Sequence, residues 1–160
     1  MALGDNTLRS AAGNSQRGRN PYMVQTTLNW ATALSDKGSA LAAADVIPVI
    51  AVPKGTMVLN AGIEVDTATD GSTFTVDLGM VDADVFVDGF DATSAAAVVA
   101  QNPAAYQPVM AVADDNIDVT IASLSGGAVT SGKFRVWAVL MDCTDMGDTA
   151  ANEVDRDTLA

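Results

Sequence analysis

The stretch MVLNAGIEVDTATDGSTFTVDLG, residues 57–79, decides the fold class. In its first half Ile63, Val65 and Thr67 share one parity, while Glu64, Asp66 and Ala68 hold the other. In its second half Phe74, Val76 and Leu78 alternate against Thr73, Thr75 and Asp77. A period of two is that of a strand with one apolar and one wet face. Between the halves stands Asp70-Gly71, a pair suited to a tight turn. The stretch therefore predicts an antiparallel hairpin.

Outward from it the same grammar recurs. Tyr22 to Trp30 places Val24, Thr26, Leu28 and Trp30 on one parity. Val46 to Val52 is β-branched and interrupted by Pro48, which predicts an edge position or a bulge. Asp84–Phe90, Gln107–Ala113, Asn116–Ala122 and Lys133–Met141 complete the strands, the last with Phe134, Val136, Ala138 and Leu140 opposite Lys133, Arg135 and Trp137. Residues 91–101 are Ala-rich and predict one or two helical turns, with Asp91 or Ser94 as N-cap. Residues 35–44 read as a loop or short helix weakened by Gly38. About eight short strands and almost no helix predict an all-β chain, an antiparallel β-sandwich or jelly roll, and not a βαβ fold.

A length of 160 residues favours one domain. Its parts are a basic arm at 1–20, a sandwich at 21–144 and an acidic tail at 145–160, where 149–159 also reads as a short terminal helix. The net charge of −12 is unevenly placed: residues 1–20 carry +2 and residues 21–160 carry −14. No Lys or Arg lies between Gly55 and Gly132. Such a body repels nucleic acid. Without histidine, Ser-His-Asp and Cys-His mechanisms and His-ligated metal sites are excluded. Cys143 stands alone, so it makes no intramolecular disulfide. No apolar run reaches the ~20 residues of a membrane helix, and residues 1–20 lack the apolar core of a secretory signal. The expectation is a soluble domain made in the cytoplasm, with no enzymatic activity, cofactor or small-molecule substrate, and with no nucleic acid or membrane as partner.

The candidate contact residues follow from where charge and apolar side chains coincide. In the arm these are Leu3, Leu8, Arg9, Arg17 and Arg19. A polar segment of this kind orders only against something, such as an acidic neighbour. In the body Lys133 and Arg135 form the one basic pair. Asp82, Asp84 and Asp88 resemble a calcium loop only weakly: Phe86 occupies the fifth position and no glutamate closes the series. Asp114, Asp115 and Asp118 make a second weak cluster. Neither GxGxxG nor GxxxxGK[ST] occurs, so a nucleotide cradle is not expected.

The opening MALGDNTLRS, the basic Gly/Ser-rich arm, PKGTMVLNAGIEVDTATDGSTFTVDLG and DADVFVDGFDATS together resemble small virion structural proteins of tailed, especially marine, bacteriophages. The resemblance covers roughly residues 50–142 and is greatest to capsid decoration, or cement, proteins. It implies a protein that binds the outer surface of the major capsid shell, commonly as a homotrimer, and braces it against internal pressure. Its implied partners are the major capsid protein and itself, and its implied place is the outer capsid surface after synthesis in the host cytoplasm. It assigns no binding residue. Two other roles fit the same residues: a head-fibre base, neck or tail protein, and a calcium- or glycan-binding β-sandwich module.

Overall fold

A computed structural model describes residues 20–95, 98–100 and 108–143. In chain order the elements are β1 (Tyr22–Asn29), α1 (Trp30–Lys37), β2 (Val46–Val52), β3 (Thr56–Thr67), β4 (Thr73–Gly79), β5 (Val87–Asp91), β6 (Val98–Ala100), β7 (Val109–Met110), β8 (Asp115–Ser125) and β9 (Lys133–Asp142). They form two antiparallel sheets. One runs β1-β9-β3-β6, with β7 also on β3; the other runs β2-β8-β4-β5. We call them the β9 sheet and the β8 sheet. The expected β-sandwich is what the chain forms. Its pairings nest: β1 with β9, β2 with β8, β3 with β6, β4 with β5.

Strand alternation builds the core. Phe134, Val136, Ala138 and Leu140 of β9 face Phe74, Val76 and Leu78 of β4 and Ile117, Val119 and Ile121 of β8 across the sandwich, all buried. Each such side chain contributes roughly 1.5–3 kcal/mol on leaving water. At one end Trp30 stands edge-on to Phe74 (centroids 4.8 Å) and to Phe134 (5.2 Å), tying the sheets together through one aromatic cluster. Asn29 turns the chain from β1 into α1, its Oδ1 accepting the Ala31 N–H at 3.0 Å. Gly38, at φ +67°, ends the helix. In β3 a register shift between Val58 and Asn60 changes the buried parity from Thr56 and Val58 to Ala61, Ile63 and Val65. Pro48 fulfils its expectation on both counts: β2 is an edge strand, and its register shifts between Pro48 and Ile50.

Four expectations are corrected. First, β3 and β4 are not a hairpin. The chain crosses at Asp70-Gly71 from one sheet to the other. Asp70 is committed to a distant loop: its Oδ1 accepts the N–H groups of Thr130 (2.9 Å) and Ser131 (3.1 Å), and its Oδ2 accepts the Thr130 hydroxyl. A Cβ on Gly71 would lie 2.9 Å from Val129 Cγ2, so the corner closes around a residue without a side chain. Second, the Ala-rich segment 91–101 holds no helix among the described residues. Asp91 accepts from the N–H and hydroxyl of Thr93, and Val98–Ala100 pairs with Gly62–Glu64 as β6. Third, the helix near residue 35 begins earlier, at Trp30, and stops at Lys37. Fourth, the strand expected at 84–90 is Val87–Asp91, and the one expected at 107–113 is, among the described residues, only Val109–Met110.

Candidate interaction surfaces

With the inner faces filled, function falls to the outward positions. On the β9 sheet these are Lys133, Arg135, Trp137, Val139 and Met141 of β9, which the buried parity of Phe134 to Leu140 turns outward. Their cross-strand neighbours extend each one into a row. Met23 and Asn60 flank Val139; Gln25 and Gly62 flank Trp137; Thr27 and Glu64 flank Arg135; Met57 lies between Met141 and Met110. The result is an apolar stripe with a charged end. There the Arg135 Nε donates to Glu64 Oε2 at 2.8 Å, with the guanidinium and carboxylate in a two-pronged ion pair. Arg135 is thus engaged within its own chain, and Lys133 lies exposed beside it.

The outer face of the β8 sheet has the opposite character. β2, β4, β5 and β8 contain no Lys or Arg. Asp77 lies opposite Thr120, Asp118 opposite Gly79, and the Thr75 and Ser123 hydroxyls meet at 2.7 Å. Partial burial pushes the Asp77 carboxyl above the usual range. The Gly89 N–H at 2.7 Å opposes that shift, and the nearby charges of Asp88 and Asp84 add to it. Partial burial, then the charge of Asp115, raises Asp118 likewise. At the sandwich corner Asp70 is held down to about 2 by its bonds to Thr130, then Ser131.

Leu3, Leu8, Arg9, Arg17 and Arg19 lie outside the described residues, as does the tail beyond Cys143. Asp82, Asp84 and Asp88 are exposed, and among the described residues no three Asp, Glu or Cys side chains converge on one point as metal ligands would. The loop that carries them is organised by backbone: the Asp82 carbonyl accepts from Met80, and Phe86 N–H returns to Leu78. A cleft of about 420 Å³ lies between α1 and β2, walled by Ala33, Leu41, Ile47 and Pro48 and bordered by the Lys37–Asp45 ion pair. The stripe on the β9 sheet is the feature that strand-by-strand reading missed. Val139, Met141, Met57 and Met23 are spread over three strands, and only the register gathers them.

No protein-family model matches the sequence, and no curated protein matches it. Among solved structures the fold is similar to a chain in the capsid of Ralstonia phage GP4, with a TM-score of 0.58 at 16% identity over 79% of this chain and 86% of that one. It is also similar to a chain in the capsid asymmetric unit of the cyanophage Pam1, with a TM-score of 0.59 at 18% identity over 88% of this chain and 97% of that one. At these identities the likeness is one of fold: the sandwich described above is a fold also built by chains within two bacteriophage capsids.

Proposed function

We propose that this chain is a structural component of a bacteriophage virion, and specifically a decoration protein that binds the outside of the major capsid shell and stabilises it mechanically, without catalysis. The observation that carries the reading is the likeness in fold to a chain in the cyanophage Pam1 capsid asymmetric unit, which spans 88% of this chain and 97% of that one. The matched chain is of about this size, which supports a small virion component. The charge distribution supports the outer side of the shell. A body of −14 is repelled by packaged DNA. In this reading Arg9, Arg17 and Arg19 anchor the arm, with Leu3 and Leu8, on an acidic capsid or neighbouring-subunit surface, and several copies of the protein attach together. Several modest contacts made together then sum to firm attachment.

The test is the copy number of this chain per purified particle, measured by quantitative mass spectrometry against the major capsid protein. A count in the hundreds is expected. A dozen copies or fewer would move the protein to a vertex, neck or tail. Absence from the particle would overturn the virion reading and return the acidic segment Asp82–Asp91 to consideration as a ligand site.

A further inference from the structure

We propose that the outer face of the β9 sheet is the surface through which one copy of this chain binds a second copy. The inference rests on the reading above only in taking the protein to work as an assembly of copies.

The first observation is exposure. On or beside this face Met23 is 62% exposed, Val98 60% and Met110 36%, around the half-buried Trp137, Val139, Met141 and Met57. Trp and Met are enriched where proteins meet, because both bury large area and adapt to a partner's shape. A contiguous stripe of this kind marks an interaction site more often than scattered apolar residues do.

The second observation is charge, which selects the occupant. Copies carrying −12 repel one another, so they can approach only through a face that does not share the excess. On this face Lys133 and Arg135 balance Glu64 and Asp66. The β8 sheet's face holds Asp77, Asp91 and Asp118, and its four strands carry no Lys or Arg. An acidic partner would leave Glu64 and Asp66 unmatched, and a basic partner would find a better field on the β8 sheet. A second copy supplies an apolar stripe for the stripe and both signs of charge for the charged end.

Area sets the strength. Four strands spaced ~4.8 Å apart and about eight residues long offer roughly 500 Å² per copy. Two such faces bury about 1,000 Å², below the 1,200–2,000 Å² of a standard stable interface. The association is therefore concentration-dependent for the free protein and becomes firm where neighbours are held together.

Sedimentation velocity of the purified full-length protein, from micromolar to millimolar, tests this. The weight-average mass should rise with concentration, and acrylamide quenching of the indole emission should fall as Trp137 is covered; Trp30 is fully buried and stays a constant background. Trp137→Arg should weaken association about tenfold or more, the scale of an interface hot spot. Met23→Lys, on the neighbouring strand, should do the same if Trp137→Arg fails to fold. Val46→Lys, equally exposed in character but on the other sheet, should change nothing. Three results would each overturn the inference: a monomer at every concentration, an oligomer indifferent to both face variants, or a Trp137 already shielded in the monomer by another part of the same chain. A monomer in solution from a protein present in hundreds of copies per particle would sink this inference and leave the virion reading standing.

Discussion

The two outer faces of the sandwich are built from the same kind of strand and end with opposite surfaces. The β9 sheet turns Trp137, Val139, Met141 and Met57 outward beside a compensated Arg135–Glu64 pair. The β8 sheet turns out Asp77 and Asp118, both held above the ordinary carboxylate range by partial burial. The inner positions of both sheets are interchangeable in kind: branched aliphatics and phenylalanine in alternation. A two-sheet fold constrains its inner parity tightly and its outer parity hardly at all. The difference between the outer faces is thus the part of the sequence not consumed by folding, and it is where partner choice can be written.

The comparison presumes that both faces hang on one core. Trp30→Ala tests this with the largest effect, because the indole contacts an aromatic ring from each sheet. It should cost about 3–5 kcal/mol, read as a drop in the urea midpoint. In the native protein, Trp137 fluorescence and far-ultraviolet circular dichroism should lose their signals together. Separate transitions would mean two independently stable sheets, and the contrast would become one between two subdomains.

Next comes the corner that joins the sheets. Asp70 is held at about 2, below its unfolded value, so its stabilisation is present in full above pH ~3.8 and fades as pH falls toward 2. Asp70→Asn should therefore lower the melting temperature at neutral pH, and the gap to the native protein should close in acid. A gap independent of pH would assign the corner to packing of Gly71 and Val129 instead.

The smallest effects should have opposite signs on the two faces. Asp118 has a raised folded pKa, so its ionised form is disfavoured in the fold at neutral pH, and that cost disappears as pH falls through the folded value. Asp118→Asn should stabilise at neutral pH by no more than ~0.5 kcal/mol, and not at all below pH ~3.8. Glu64→Gln, breaking a half-exposed ion pair, should destabilise by about 0.2–1 kcal/mol. Equal signs in chemical denaturation would erase the electrostatic contrast between the faces.

Periodicity made most strands legible. The parities of β4 and β9 appear in the sequence as they do in the fold, and Pro48 marked its edge and its bulge. Alternation, however, states which way a side chain points and not which strand lies beside it. A Gly-containing turn between two alternating runs serves a hairpin and a sheet-to-sheet corner alike. What distinguishes the corner at Asp70-Gly71 is a carboxylate bonded sixty residues away, at Thr130 and Ser131. Local reading carries no signal for that. Ala-rich 91–101 misled for a related reason. Helix propensity is weak, and the open edge of β3 offers Val98–Ala100 hydrogen bonds that a short helix cannot match. The charge contrast was partly visible, since the absence of Lys and Arg from 56 to 131 needs only counting. The apolar stripe needed the register.

The position of β9 has a kinetic consequence. The last described strand lies between β1 and β3 and supplies the ladder for both. A nascent chain therefore cannot complete this sheet until Lys133–Asp142 has left the ribosome. Contacts this distant in sequence make folding slow. Chains cut short before Lys133 would leave β1 and β3 without their shared partner, their open edges exposed to aggregation or proteolysis. A product that stops before Lys133 never presents the β9 face at all.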